Sequence, residues 1–166
     1  MPMPDYQTVN FHFKVNFNLS AGDSDGADVR FQSVTGLDAT LDTETIKEGG
    51  ENQFEHVIPV RKKYGPLILK RGMLKLADSK VTEWLIDWFK ELLGVPKQGS
   101  DASTGPLPIP TVNILLLGED HLEIMSWAIT NVWPRSWKVG ELNAERGEVL
   151  IETLELNYNT LVFKSS

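Results

Sequence analysis

The chain has 166 residues, the length of about one domain, and its 41% apolar and 23% charged residues exclude a wholly disordered protein. It contains no cysteine, which excludes disulfide frameworks, cysteine-ligated metal centres and thiol nucleophiles. The formal net charge of −7 argues against a general binder of nucleic acids or anionic membranes.

The N-terminal segment has none of the features of a secretory leader. Met1 to Tyr6 contains neither a basic stretch nor an apolar stretch, so we expect the protein to fold in a cytoplasm. No apolar run elsewhere approaches the roughly 18 residues that span a bilayer, so we expect no membrane insertion by this chain.

The first strong pattern is the alternation of apolar and polar residues from Val9 to Leu19. A period of two puts the large side chains on one face and predicts a half-buried strand.

The next segments predict a loop, a short strand and an unusual hairpin. Ser20–Asp28 lacks the ligand spacing of a calcium loop and predicts a solvated turn. Val29–Val34 predicts a short strand, and Leu37–Ile46 and Gln53–Val60 predict a hairpin that turns at Lys47–Asn52. The first hairpin strand is rich in threonine and poor in apolar residues, so it would be marginal alone. We therefore expect it to pair with another surface, either in this chain or in a second copy.

The densest basic stretch follows the hairpin. Arg61–Pro66 could contact a phosphate backbone, but in an acidic chain we expect a solvated turn. Leu67–Met73 then predicts another strand, which ends at Lys70-Arg71-Gly72.

The strongest helical pattern lies between Ser79 and Leu93. Asp78 or Ser79 can cap the N-terminus, and Gly94 followed by Pro96 predicts its end. An aromatic stripe could serve as a ligand platform, but apolar residues at helical spacing usually pack into a core, so we predict a core helix. The stripe consists of Val81, Trp84, Leu85, Trp88, Phe89 and Leu92.

The C-terminal half predicts three further strands. Val95–Pro110 is rich in glycine, proline and serine and predicts a mobile connector within one domain of residues 1–166. Thr111–Leu117 predicts a strand, and His121–Val132 predicts its return, ended by Trp133-Pro134. The apolar face of the return strand switches midway, which indicates a bulge or a strand between two packing surfaces. Glu148–Val162 predicts the last strand.

These elements amount to about eight strands and one helix. Successive hairpin patterns favour antiparallel pairing. The predicted fold is therefore mainly β, an antiparallel β-sandwich or small barrel with one flanking helix.

No constellation in the sequence is typical of catalysis or metal binding. The nucleophile elbow, the phosphate loop and the dinucleotide fingerprint are all absent. The pairs Asp120/Glu123 and Glu152/Glu155 are of the kind used in acid–base catalysis, but such pairs are also common on exposed strand faces. The three histidines have no second ligand at the spacing of a zinc site. From these observations together we predict no enzyme, no cofactor and no metal site. The histidines are His12, His56 and His121.

Six short segments, in one order and spanning nearly the whole chain, carry a resemblance to a known family. They are Phe31–Asp38, Lys47–Phe54, Leu69–Gly72, the helix with Trp84 and Trp88, Ala128–Pro134 and Glu148–Leu156. Together they resemble the inner tube proteins of contractile tails, both the tail tubes of myophages and the tubes of phage-derived contractile injection systems.

The resemblance implies a barrel-like fold shared with the type VI secretion tube protein. It implies hexameric rings that stack into a hollow tube inside a contractile sheath, with baseplate and tail-terminator proteins as further partners. The lumen would pass DNA or effector proteins, and the particle, a virion tail or an injection system, would assemble in a bacterial cytoplasm. An acidic chain suits such a conduit, because like charge discourages cargo from sticking to its wall.

The threonine-rich hairpin is the expected contact between subunits. Pairing with a neighbour would remove strand edges that otherwise invite aggregation. The core-helix residues are Trp84, Leu85, Trp88 and Phe89. The candidate intersubunit residues are Thr43, Thr45, Lys47, Glu48, Gly49, Gly50, Glu51 and Asn52.

Two alternatives remain open. One is a tube-initiating or baseplate-proximal homologue with the same fold. The other is a monomeric β-sandwich binding module whose tryptophans line a ligand groove. Negative-stain images distinguish the classes, because rings or tubes support assembly and compact monomers support the module.

Overall fold

Two antiparallel sheets and one helix form the body of the molecule, and a separate two-stranded sheet adjoins it. The computed structural model describes residues 12–19, 27–46, 56–75, 78–93, 109–145 and 147–165. The helix, α1, spans Lys80–Leu92. The strands in these ranges are β1 Phe13–Asn18, β2 Ala27–Val29, β3 Ser33–Thr35, β4 Ala39–Ile46, β5 His56–Tyr64, β6 Leu67–Gly72, β7 Thr111–Leu117, β8 Glu123–Thr130, β9 Trp133–Val139, β10 Ile151–Asn157 and β11 Thr160–Ser165.

The order of the strands defines the architecture. The larger sheet has the order β11-β8-β7-β1-β2, the second sheet has the order β3-β6-β10-β9, and β4 pairs only with β5. Every pairing within the described residues is antiparallel. This confirms the predicted class, a mainly β fold with antiparallel sheets and one helix.

A core fills the space between the two larger sheets. In β1, Val15 and Phe17 are completely buried and their neighbours are not, because alternate side chains of a strand point to opposite faces. The described part of the predicted Val9–Leu19 strand therefore follows its alternation. Each fully buried side chain of this kind contributes about 1.5–3 kcal/mol. The buried apolar residues are Val15, Phe17, Leu67, Leu69, Val81, Trp84, Leu85, Val112, Ile114, Ile129, Val132, Leu154, Leu156, Tyr158 and Leu161.

The helix begins where the sequence indicates. Ser79 has extended backbone angles, and its hydroxyl accepts a hydrogen bond of 3.2 Å from the backbone N–H of Thr82, as an N-cap should. The helix lies beside β2 and β9, which are edge strands of the two larger sheets. It therefore covers one side of the sandwich. At its last turn Leu92 is exposed, so the apolar stripe stops short of the predicted end.

The basic stretch is a strand and not the predicted turn. Arg61, Lys62 and Lys63 continue β5 as far as Tyr64, and the chain turns only at Gly65-Pro66. Almost all of β5 is exposed, so long charged side chains fit on both of its faces. Charge density alone cannot distinguish such a strand from a solvated loop.

Three further boundaries differ from the prediction. Trp133-Pro134 opens β9 instead of ending the preceding strand, and proline is tolerated there because β9 is an edge strand. The predicted strand Val29–Val34 is two short strands, β2 and β3, in different sheets. The predicted strand Glu148–Val162 is β10 and β11, and the chain crosses between the sheets at Tyr158-Asn159. The described residues therefore contain eleven strands instead of about eight.

The predicted irregularity of the return strand is confirmed as a bulge. Leu116 is opposite Met125 and Leu117 is opposite Glu123, so Ile124 is an extra residue on β8. The predicted hairpin turn at 47–52 and most of the predicted connector, residues 95–108, lie outside the described residues.

Candidate assembly interface

The strands β4 and β5 form a ribbon, here called the arm, that is exposed on both faces. Of its described residues, Asp42 and Tyr64 alone are half buried, and the rest are exposed. Leu41 is 59% exposed and Val57 is 57% exposed, far more than apolar residues of the body strands. An isolated two-stranded ribbon is marginal in water, so these faces and edges are suited to contact another molecule.

The two faces of the arm differ in chemistry. Residues directly opposite each other share a face, and Leu41 is opposite Lys62 while Thr45 is opposite Val57. A register shift leaves Val60 without a partner on β4, so Val57 and Lys62 lie on the same face. This face, which we call the apolar face, also carries Thr43 and its partner Pro59.

The other face of the arm, the charged face, is internally balanced. Asp42 is opposite Arg61, and the Lys63 ammonium lies 2.6 Å from an Asp42 carboxylate oxygen. Glu44 lies on the same face, opposite Ile58. An exposed ion pair of this kind contributes at most about 1 kcal/mol. The charges therefore keep this face soluble more than they hold the arm together.

The root of the arm is held rigidly. Gly36 has a φ of +89°, and a Cβ added there would lie 2.0 Å from the carbonyl oxygen of Pro66. No other residue fits at Gly36 without moving the backbone. The Tyr158 hydroxyl donates a 3.0 Å hydrogen bond to the Gly36 carbonyl, and its ring lies 5.3 Å from that of Tyr64. The body and the arm are thus in contact at Tyr158, and Leu37 and Tyr64 at the root of the arm also pack against the core.

The environment of Tyr158 favours its neutral form. Burial raises the pKa of the Tyr158 phenol from 10.0 to about 12, with smaller contributions from Asp38 and Tyr64. The neutral hydroxyl keeps its proton for the bond to Gly36 throughout the physiological range.

The sequence-predicted interface residues are only partly described. Thr43 and Thr45 lie exposed on β4, on the apolar face of the arm. Lys47, Glu48, Gly49, Gly50, Glu51 and Asn52 lie outside the described residues.

The aromatic residues of the helix lie against the body. Trp84 and Leu85 are buried, whereas Trp88 and Phe89 are half buried and pack against the core. The Trp84 ring centroid lies 6.4 Å from that of Phe17 and 6.3 Å from that of Trp88. The larger sheet and the helix therefore share one aromatic cluster.

A buried ion pair connects the second sheet to the start of the helix. Arg71 on β6 is directly opposite Glu152 on β10, their side chains are ion-paired, and both are almost completely inaccessible. The same guanidinium donates bonds of 3.0 Å to the Ser79 hydroxyl and 2.6 Å to the Thr82 hydroxyl. The second Glu152 oxygen accepts a 2.9 Å bond from the indole of Trp137.

This ion pair was not predicted from the sequence, although the strand patterns contain a signal for it. The alternation Leu67, Leu69, Arg71 places an arginine at an inward position of β6, and that of Glu152, Leu154, Leu156 places a glutamate inward on β10. Opposite charges at inward positions of two predicted strands indicate a buried ion pair.

The carboxylates and histidines do not form a catalytic centre. Glu152 is buried, whereas Glu155 lies on the other face of β10, where a 2.9 Å hydrogen bond from Lys138 lowers its pKa. The rings of His12 and His121 meet edge to face at 4.7 Å, and His56 lies on the arm. Among the residues that the structure describes, no three histidines or acids are grouped to hold a metal ion.

No helix in the described ranges is long and apolar enough to cross a membrane.

A family model matches most of the chain. The model described as T4-like virus tail tube protein gp19 matches residues 9–162. A comparison with curated protein sequences found no significant match.

Solved structures of similar fold cover nearly the whole chain. A chain in the cryo-EM structure of the anti-feeding prophage (AFP) baseplate is 29% identical with a TM-score of 0.76, over 96% of this chain and 97% of that one. A chain of the PVC sheath-tube complex, an extracellular contractile injection system in the extended state, is 17% identical with a TM-score of 0.72, over 98% and 95%. The crystal structure of Hcp protein is 8% identical with a TM-score of 0.53, over 92% and 91%. The last two likenesses show the shared fold.

Proposed function

Because the chain belongs to the T4-like virus tail tube protein gp19 family and is a structural tube subunit, we propose that its copies form hexameric rings that stack into a hollow inner tube. The family and the fold are those of structural tube proteins and not of enzymes. The chain is accordingly part of a tail or injection-system particle. Its function then depends on the surfaces through which the copies contact one another.

The exposed arm is the observation that carries the ring proposal. Its apolar face presents Leu41 and Val57 to solvent, and each of its strands has one unpaired edge within the described residues. Docking on a neighbouring subunit would cover these groups, and closing a ring would leave no free strand edge. Thr43 and Thr45 are then intersubunit residues, together with the hairpin turn from Lys47 to Asn52.

The partners and the cargo follow from the same proposal. One relative lies in a sheath-tube complex and another in a baseplate, so we propose a sheath around this tube and a baseplate at one end. The resemblance to contractile tail tubes adds a terminator at the other end. The lumen carries DNA or effector proteins. The chain's net charge of −7 discourages cargo of like charge from sticking to the wall of the tube. We propose further that residues 1–166 form one tail-tube-like domain, with a mobile connector near 95–110, and that the particle assembles in the bacterial cytoplasm.

Sedimentation velocity and negative-stain imaging at increasing concentration test the assembly. We expect rings or stacked tubes from the parent, and a loss of both when Leu41 and Val57 are replaced by Asp. Leu92→Asp combined with Leu93→Asp is the matched control, because it places the same two charges on exposed leucines of the body. Monomers at every concentration would contradict the proposal and favour a monomeric binding module.

A second candidate is a tube-initiating subunit next to the baseplate. The relative with 29% identity comes from a baseplate structure, which favours this role. The same images separate the candidates, because a main tube subunit should stack without limit, whereas an initiating subunit should stop at single rings.

A further inference from the structure

An open cleft lies where β9 ends and β10 begins, away from the arm of the same chain. It has a volume of about 280 Å³, and none of the described arm residues lines it. Leu142 and Val149 project into solvent there, 81% and 75% exposed. Glu141 and Glu148 also line the cleft. We propose that this cleft receives the apolar face of the arm of a second copy, an inference that rests on the proposed tube assembly.

Two backbone hydrogen bonds hold the base of the cleft. The Gly140 N–H donates a 2.9 Å bond to the Ile151 carbonyl, and the Met73 N–H donates a 2.8 Å bond to the Leu150 carbonyl. These bonds tie the walls to β10 and to the end of β6. A preformed site loses less entropy when a partner binds. The exposed Leu142 and Val149 in this cleft are therefore suited to a specific contact.

Charge selects the apolar face of the arm as the occupant. On the charged face, Lys63 pairs with Asp42, and Arg61 stands opposite the same aspartate. Lys62 instead lies on the apolar face beside Leu41, and it makes no ion pair with any residue in the described ranges.

The cleft offers the complementary chemistry. Glu141 and Glu148 likewise form no ion pair in the part of the chain that the structure describes. When Leu41 and Val57 cover Leu142 and Val149, Lys62 meets these two carboxylates. Apolar burial then supplies the affinity, and the charges set the orientation of the arm.

Charge reversal tests the contact. Lys62→Glu should raise the concentration needed for assembly by about tenfold or more, and so should Glu141→Lys combined with Glu148→Lys, since close interfacial charge pairs are worth at least about that factor. Combining all three substitutions restores opposite charges and should return assembly to near the parent level. The controls are Arg61→Glu, on the other face of the arm, and Glu145→Lys, on the same loop but outside the cleft lining.

A covalent trap gives a second readout, because the chain has no cysteine. Lys62→Cys in one copy and Glu148→Cys in another should form a disulfide-linked dimer on oxidation, whereas Arg61→Cys with Glu148→Cys should not. A parent that never assembles would overturn both this inference and the tube assembly. A parent that assembles, with reversals that have no effect or that the triple variant does not rescue, would overturn this inference alone.

Discussion

The arm and the body use the same antiparallel pairing in opposite environments. In the body, Leu69 on β6 faces Leu154 on β10, and both are buried. In the arm, Leu41 on β4 faces Lys62 on β5, and both are exposed. Both ribbons have antiparallel backbone hydrogen bonds, although the arm has a register shift between Asp42 and Thr43, and the main difference between them is what covers their faces. The body carries its own cover, and we propose that the arm obtains one in the assembly.

The largest effect on the body should come from breaking its buried ion pair. Arg71→Met leaves the Glu152 carboxylate buried without its charge partner, and we expect a loss of about 3–5 kcal/mol in unfolding free energy. Adding Glu152→Leu removes the orphaned charge and should recover most of the loss. Urea denaturation of both variants measures this, and equal stability of the single and double variants would show that the charges are not coupled.

The aromatic cluster should be nearly as sensitive. Trp84→Ala removes a buried ring from between the helix and the larger sheet, and we expect a loss of about 3–5 kcal/mol. Trp88→Ala should cost clearly less, because Trp88 is only half buried. Thermal melting compares the two. If Trp88→Ala left stability intact but abolished binding of a small ligand, the helix would line a groove, as the binding-module alternative requires.

The joint between arm and body should show an intermediate effect. Tyr158→Phe removes the hydrogen bond to the Gly36 carbonyl and should cost about 1 kcal/mol. In the parent the pKa of Tyr158 is raised from 10.0 to about 12, so its contribution is complete below pH 10 and is lost as the pH rises towards 12. Melting curves from pH 8 to 11.5 should fall less steeply for Tyr158→Phe than for the parent.

Substitutions on the arm should have the smallest effect on the subunit. Thr43→Ala and Leu41→Ser change exposed side chains and should alter unfolding of the isolated chain by no more than about 0.5 kcal/mol. The same variants should weaken assembly, measured by sedimentation. A large loss of subunit stability would mean that the arm packs on its own body.

Local sequence patterns were sufficient to predict most of the strands and the helix of the body. The alternation around Val15 and Phe17 and the capped helix at Ser79 each depend on residues within a few positions, so the sequence predicts them directly. The order of the motifs along the chain indicated the family, although no single motif was specific enough to indicate it alone.

Features that depend on distant neighbours were not predictable in the same way. The strand identity of Arg61–Lys63 depends on β4, which pairs with it. The strand that starts at Trp133 needs β10 beside it, and Arg71 and Glu152 meet only because β6 and β10 pair in one particular register. In the proposed assembly the neighbour that covers the arm is another molecule, so the sequence could indicate only that a cover was missing.

The close packing around Gly36 at its root gives the arm the mechanics of a lever. β4 has eight residues, so the arm is about 26 Å long, and a rotation of about 10° at its root moves its tip by about 4.5 Å. That displacement is nearly the distance between neighbouring strands in a sheet, about 4.8 Å. A small distortion around Tyr158 would thus be magnified at the tip into a displacement of about one strand spacing. In the proposed assembly, side-chain packing inside one subunit would then set the accuracy with which the next is placed.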